Sequence, residues 1–381
     1  MREQLKELGC SFEWKRELAT CDPVYYRWTQ ELFLKLFEAG LVYQKEALVN
    51  WDPVDQTVLA DEQVDENGNS WRSGAHVEKK LLKQWFIRTT QFAKELYDGL
   101  NDSVLHDWKD IIKLQKHWIG ECDGVNFYFK INNVSLKNSE NDSVTVWTRW
   151  PEHIEKVRFV AVKDNHLLAL KENVKTNGNT IKLNVELINP FNGELVPVFV
   201  TEELKFEPLG DCYVGIPSAS EEALQFAEKY GLKTDPLNTV DNPDDLTEKQ
   251  KVICDKAKLL KAGGHWSSAK LRDWLISRQR FWGTPIPIIH CKKCGSVPVD
   301  RGDLPVKLPK LSQLSRKDKS PLQDDSSWLN TTCPSCGGAA TRETDTMDTF
   351  VDSSWYFLRY LDPKYNREMF SKDKAFKMTP V

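Results

Sequence analysis

Two Cys-x-x-Cys pairs, Cys291–Cys294 and Cys333–Cys336, constrain this chain more than any other feature. Each sets two thiols on one tight turn, with Gly295 or Gly337 directly after the second. Four thiolates so placed can close a tetrahedron around Zn²⁺ at roughly 2.3 Å. The pairs stand 38 residues apart, so the intervening chain, with its Lys307-Leu-Pro309 and Ser320-Pro-Leu322 segments, has to loop away from the metal. Two pairs at this spacing read as a metal site, not as four unrelated cysteines. No catalytic base such as a His-Glu pair is expected nearby, which favours a structural zinc closed by four ligands over a catalytic zinc with an open position.

The cysteine count is nine, an odd number that suits a reducing compartment better than a disulfide framework. Cys10, Cys21, Cys122, Cys212 and Cys254 are expected to act as small apolar core residues. Of 381 residues, 40% are hydrophobic and 11% aromatic, enough for two or three cores. No apolar run reaches eighteen residues, and Met1–Lys15 is charged and amphipathic without a secretory core, so no membrane partner is expected. Fifty-two basic residues face fifty-six acidic ones, a net charge of −4, so any RNA contact has to be local.

Asp22-Pro23 reads as a helix start. Trp28, Leu32, Phe33, Leu36 and Phe37 then recur at helical spacing until Gly40. Short strands are predicted at Leu41–Tyr43 and Ala47–Trp51, and a second helix after Thr90 with Phe92, Leu96 and Leu100 on one face. This part reads as α/β. From Gly124 to Lys205 the texture becomes β-rich: Val125–Ile131, Val144–Thr148, Arg158–Val162, Ile181–Ile188 and Leu195–Val200 are predicted strands between Asn and Gly turns. Lys233–Glu248 reads as a surface loop and helix start. Lys251–Arg280 carries eight basic residues with Trp266, Trp274 and Phe281 interleaved. That run is either a solvated helical face or a surface for an RNA backbone and its unstacked end.

Leu271-Arg-Asp-Trp-Leu-Ile-Ser277-Arg278-Gln279-Arg280-Phe281-Trp282-Gly283-Thr-Pro285-Ile-Pro287 resembles the segment by which class I synthetases for leucine, isoleucine and valine re-enter their catalytic domain after an editing insertion. Glu343-Thr-Asp345-Thr-Met347-Asp348-Thr-Phe350-Val-Asp352-Ser353-Ser354-Trp355-Tyr356 resembles the leucyl form. Asn50-Trp51-Asp-Pro, Gln56 to Val64, Gln84-Trp85-Phe86-Ile87 and Trp118-Ile119-Gly120 are similar to leucyl-tRNA synthetases in the same order, so the resemblance spans nearly the whole chain. The thiol pairs lie where bacterial and organellar members carry a zinc module.

The resemblance implies an α/β fold: a class I Rossmann-like catalytic domain interrupted by a β-rich editing-type (CP1) domain, with a small zinc-ribbon-like module. The expected partition is catalytic domain 1–122, insertion 123–266, return 267–289, zinc module 290–340 and catalytic domain again 341–381. It implies ATP with Mg²⁺, leucine and tRNA(Leu) as substrates, structural Zn²⁺, a monomer, and the mitochondrial matrix, with the bacterial cytoplasm as alternative. Ser354 and Phe357 would line the leucine pocket, and Asp345 and Asp348 would sit in the synthetic site. Arg278, Arg280 and Trp282 would contact tRNA. At Phe357 the family often has tyrosine, which removes a hydroxyl.

The resemblance also exposes departures. The His-x-Gly-His and Lys-Met-Ser-Lys-Ser loops are expected before Met1 and after Val381, so the chain alone is expected to be inactive. The editing site reads as eroded: Thr148-Arg-Trp-Pro151-Glu-His153 replaces a threonine-rich motif. Pro217-Ser-Ala-Ser220-Glu-Glu-Ala223 lacks the aspartate that would grip a substrate ammonium. Asp52-Pro-Val-Asp55 and Ser70-Trp-Arg-Ser73 stand where some bacterial members have two further cysteine pairs, so a single zinc is expected. The alternatives carried forward are a degenerate paralogue that binds tRNA or protein without catalysis, and a valyl or isoleucyl enzyme.

Overall fold

The computed structural model describes residues 2–60, 63–132, 143–207, 210, 212–236, 243–309 and 321–379. Asp61 and Glu62 of the matching run, part of the predicted 233–248 loop, and Ser320 lie outside the described residues. Contacts divide the chain into two compact units, Met1–Ile87 with Leu275–Val381, and Arg88–Trp274.

Helix α1 (Pro23–Glu38) starts where Pro23 fixes the first helical φ and ends before Gly40, whose φ is +70°. It buries Tyr25, Trp28, Phe33 and Leu34. The two strands predicted at 41–51 are one, β1 (Val42–Asp52), which pairs antiparallel with β2 (Thr57–Leu59) and β3 (Glu78–Ile87). The polar run Gln44-Lys-Glu46 that interrupts the sequence pattern lies opposite Trp85, Gln84 and Lys83, so the ladder carries on through it.

In the second unit the helix expected after Thr90 is short, α2 (Ala93–Gly99). Phe92 and Leu96 of its predicted apolar face are 41% and 52% exposed, so that face does not seat in a core. Helix α3 (Lys109–Ile119), absent from the sequence reading, follows it. The β-rich stretch forms a seven-stranded sheet of β4 (Gly124–Asn132), β5 (Ser143–Thr148), β6 (Phe159–Val162), β7 (Ile181–Ile188), β8 (Leu195–Val200), β9 (Cys212–Gly215) and β10 (Gly263–Ser267). The order is β10-β4-β7-β8-β6-β9, with β5 on β4. Strand β6 is buried on both faces. Val160 and Val162 join a large aliphatic cluster, while Phe159 and Ala161 pack with Phe199, Ala223 and Phe226 beneath α4 (Glu221–Lys229). Gly215 opposite Phe159 has to be glycine, because a Cβ there would lie 2.2 Å from that ring. Helix α5 (Pro243–Leu259) inserts Cys254 and Ala257 into the aliphatic cluster.

Back in the first unit, β11 (Ser277–Arg278) pairs with the later two-residue strand Thr346–Met347. A four-stranded antiparallel sheet holds both thiol pairs: β12 (Ile288–Cys291), β13 (Gly295–Pro298), β14 (Asn330–Thr332) and β15 (Ala339–Arg342), in the order β13-β12-β15-β14. Strand β16 (Thr346–Met347) leads into helix α6 (Thr349–Ser353). These sheets of the first unit are antiparallel, and the parallel sheet expected of a Rossmann-like domain is not among them. The parallel pairing described is β6 with β8, in the second unit. Among the described residues no helix is long and apolar enough to cross a membrane.

Candidate functional site

The four sulfurs of Cys291, Cys294, Cys333 and Cys336 lie within 4.8 Å of one another, and the Cys291 and Cys336 sulfurs are 3.7 Å apart. A regular tetrahedron with 2.3 Å arms has edges close to 3.8 Å, so the donor set fits Zn²⁺. Each knuckle is the turn of a hairpin, β12 to β13 and β14 to β15. Gly295 and Gly337 take φ of +74° and +69°, which brings the second cysteine back over the first. The backbone N–H groups of Cys294 and Lys293 point at Cys291 and draw its thiol down to about 7, towards the thiolate a metal requires.

A histidine–glutamate pair does lie beside the thiols, contrary to expectation: His290 Nε2 is 2.9 Å from Glu343 Oε2. Spacing could not show it, because the partners are 53 residues apart. Glu343 is committed elsewhere as well. It accepts hydrogen bonds from Trp85 Nε1 at 2.8 Å and from the N–H groups of Thr344 and Asp345 at 2.7 and 3.0 Å. Burial works against its charge, but the bonds from His290 and Trp85 outweigh this and hold it below the ordinary value. Among the described residues, the group able to hold a metal consists of the four cysteines, without Glu343 or His290. The remaining cysteines divide: Cys254 is buried as expected, Cys21 is exposed, and Cys10, Cys122 and Cys212 are half-buried, so the apolar-core reading holds fully only for Cys254.

Beyond Glu343 the chain runs through a buried carboxylate cluster. Burial and the neighbouring Glu343 push Asp345 well above its ordinary value, while Gln279 donates to it at 2.7 Å. Asp348 caps α6 by accepting the Phe350 N–H at 2.9 Å and forms a buried ion pair with Arg278. Burial raises Asp352 to about 6 although Thr284 donates to it at 2.8 Å. Arg278 and Asp348, expected as separate RNA-contacting and synthetic-site residues, are thus partners. Arg278 is only 2% exposed and is turned inward, not offered to solvent. Arg280 is half-buried, and Trp282 is 37% exposed.

Ser354 and Phe357 are both on the surface. The Ser354 hydroxyl donates to the Val351 carbonyl at 2.7 Å, and Phe357 is 40% exposed. Neither lines the two cavities described here. One, of about 430 Å³, is bounded by Ile289, Val306, Trp328 and Arg342 beside the thiol sheet. The other, of about 450 Å³, is bounded by Glu152, Glu248, Val252 and Ile253 in the second unit. Gln279, Glu343 and Asp352 stand in the quoted motifs without a role there, because each acquires one only from a partner 53 to 68 residues away.

In the β-rich unit Thr148 is buried at the end of β5, with its hydroxyl accepting the Trp150 N–H at 3.1 Å, and Pro151 is buried at the start of a 3₁₀ turn. Ser220 caps α4 through the Ala223 N–H at 3.3 Å. Ala223 is fully buried among Phe159, Phe199 and Phe226 and offers no polar atom.

The Asp52 hairpin has an arrangement of its own. Asp52, fully buried, accepts the N–H groups of Val54 and Asp55 at 2.9 and 3.0 Å and the Ser73 hydroxyl at 2.6 Å. Ser70 accepts the N–H groups of Arg72 and Ser73, both at 3.3 Å. Burial would raise the Asp52 pKa, but the bonds from Ser70, Ser73 and the backbone outweigh it and hold the carboxyl below its usual value. A carboxylate therefore closes two facing turns as a metal would. Hydrogen bonds to a buried charge contribute about 1.5–3 kcal/mol each, so Asp52→Ala is expected to destabilise the first unit by about 3 kcal/mol. The contribution is present above the ordinary carboxylate range and is lost as pH falls through the depressed folded value. Denaturation midpoints of both proteins at neutral pH and at pH 3 check it: equal midpoints at neutral pH would show the knot to be dispensable.

Comparison with known proteins matches this architecture. The family model described as tRNA synthetases class I (I, L, M and V) fits residues 1–124 and 246–380, and the one described as leucyl-tRNA synthetase, editing domain, fits residues 171–273. The chain belongs to the class I tRNA synthetases. Within that class its likeness is to the leucyl members of mitochondrial and bacterial type. A probable mitochondrial leucine–tRNA ligase of Pongo abelii is 46% identical across the whole chain, and a leucine–tRNA ligase of Prochlorococcus marinus (strain MIT 9215) is 44% identical. The chain spans 44% and 49% of those relatives' lengths. A crystal structure described as a ternary complex of Agrobacterium radiobacter K84 agnB2 LeuRS, tRNA and LeuAMS matches the entire chain and 49% of its own, with a TM-score of 0.65 and 33% identity.

Proposed function

We propose that this protein works as a leucine–tRNA ligase, which activates leucine with ATP and Mg²⁺ and passes it to tRNA(Leu). The observation that carries the reading is the Glu343–Tyr356 segment. Its leucyl-type sequence is held by the Arg278–Asp348 ion pair and the Glu343 hub beside a four-thiol cluster. Activation and transfer depend on positioning and charge stabilisation, which a rigid buried network of this kind supplies. Neither a His-x-Gly-His nor a Lys-Met-Ser-Lys-Ser sequence occurs in the 381 residues, so the isolated chain is expected to show no leucine-dependent exchange of pyrophosphate into ATP. The decisive assay expresses these residues with their flanking coding sequence and offers leucine, isoleucine and valine. Charging of tRNA(Leu) with leucine is expected, and charging with valine or isoleucine on their own tRNAs overturns the assignment.

The four thiols would hold a structural Zn²⁺ that pins the two hairpins together. The β-rich unit stands as the editing-type insertion, with its hydrolytic site lost. Ala223 sits in an apolar cluster, and the Ser220 hydroxyl is spent on a helix cap. An ammonium held by a carboxylate is worth about 1.5–3 kcal/mol, and Ala223 cannot supply it. The same preparation is expected to leave mischarged isoleucyl-tRNA(Leu) intact over the time in which it charges leucine, and rapid deacylation would count against the loss. The mitochondrial relatives support a mitochondrial location, and the monomeric state follows the family resemblance.

A further inference from the structure

We propose that the cavity of about 430 Å³ beside the thiol sheet binds a free α-amino acid as its zwitterion: the carboxylate on Arg342, the ammonium at Asp300 and Asp303, and an apolar side chain against Trp328 and Val306. None of the residues that line it belongs to the Glu343–Tyr356 segment, so this site goes beyond the ligase reading. Its floor is one face of the four-stranded sheet. Ile289 stands directly opposite Arg342 on β15 and opposite Val297 on β13, so the three side chains share that face. An arginine between aliphatic neighbours needs an acceptor. Arg342 is half-buried, and among the described residues its guanidinium makes neither a hydrogen bond nor an ion pair. Its planar fork of donors fits a carboxylate, which takes two parallel bonds from it.

The opposite wall is fixed before any ligand arrives. The Val306 N–H donates to Oε1 of buried Gln30 on α1, and its carbonyl accepts from Nε2 of the same side chain, both at 3.0 Å. The next carbonyl, of Lys307, accepts the Trp328 Nε1–H at 2.8 Å, which holds the indole at the cavity edge. Asp300 and Asp303 border the same space from either end of the 3₁₀ turn Arg301–Asp303. Arg301 between them is engaged by Glu38 at 2.6 Å, so neither aspartate has a cationic partner among the described residues. With Lys307 the lining carries two positive and two negative groups. A simple anion would meet both carboxylates, and a simple cation both bases; a ligand with one charge of each sign satisfies the set. The volume lies near the lower end of the range for small-molecule sites, about 300–1,000 Å³, which suits an amino acid better than a nucleotide.

The test is calorimetric titration of the full 381-residue chain, zinc-loaded, with phenylalanine, glycine, N-acetyl-phenylalanine and phenylalanine methyl ester. Phenylalanine leads because leucine bound elsewhere in the chain would mask the result. Saturable binding of phenylalanine is expected, with glycine, the acetylated form and the ester each weaker by about tenfold or more, the loss that follows when one charged contact or the apolar one is removed. Arg342→Gln is expected to weaken phenylalanine by about tenfold, and Arg342→Lys by less. The double variant Asp300→Asn, Asp303→Asn is expected to weaken phenylalanine while leaving N-acetyl-phenylalanine as strong as before or stronger, a pattern that a merely structural role would not produce. Both aspartates are exposed, so this variant decides the matter if Arg342→Gln fails to fold. Absence of saturable phenylalanine binding, equal affinity in parent and Arg342→Gln, or equal losses for phenylalanine and its acetylated form in the double variant overturns the proposal. Leucine charging by the longer enzyme is read separately, so either result can fail without the other.

Discussion

Asp348→Asn is expected to destabilise the first unit by about 3–5 kcal/mol, the usual result of removing one partner from a buried ion pair and leaving the other charge behind. Arg278 is 2% exposed, and the Leu275 and Ser277 carbonyls that it also meets, at 3.1 and 2.9 Å, do not carry the negative charge that Asp348 supplies. Asparagine can still cap α6 at Phe350, so the loss reports the ion pair and not the cap. The double variant Arg278→Met, Asp348→Asn removes the stranded charge and is expected to regain most of the stability, because replacing a whole buried pair by apolar bulk is often neutral. Urea midpoints of the parent, both single variants and the double variant form the cycle. If the double variant is as unstable as the sum of the singles, the two side chains are not coupled and the ion pair is not what holds the segment.

Removing the metal is expected to have the other large effect. Structural zinc contributes apparent binding energies of about 10–16 kcal/mol in small zinc-finger peptides, far more than a sheet of three- and four-residue strands secures alone. Metal analysis of the purified chain is expected to find one zinc per polypeptide. Chelation, or Cys333→Ser, is expected to open the 288–342 region to protease while the β-rich unit stays resistant. Two zincs per chain would refute the carboxylate closure at Asp52. Full protease resistance of the metal-free chain would refute the structural role of the thiols.

How much of this could be read in the sequence depends on whether the determinants are local. The strands Ile181–Ile188 and Leu195–Val200 lie where alternation and turn residues put them, and α1 lies where Asp22-Pro23 and Gly40 bound it. The thiol cluster was legible for the same reason, since each knuckle is a four-residue motif. Arg278 was not. A basic run with aromatics looks the same whether its arginines face water or a carboxylate, and its partner Asp348 is 70 residues away. Helix α3 was missed although Trp108, Ile111, Leu114 and Trp118 recur at helical spacing; these side chains are 45–63% exposed, so the spacing marks a helix without marking a buried face. The Asp52 knot was recognisable only as an absence of cysteine. What replaced it depends on Ser73, 21 residues on, turning its hydroxyl back to the carboxylate.

That substitution changes what the hairpin depends on. A thiol site is vulnerable to oxidants, to competing metals and to scarcity, whereas a carboxylate gripped by hydroxyls and amides answers only to acid. If the four thiols hold zinc, the knob bearing Trp71 and Arg72 is expected to keep its shape through metal starvation or peroxide stress, and the hairpins carrying Cys291 and Cys333 are expected to lose theirs.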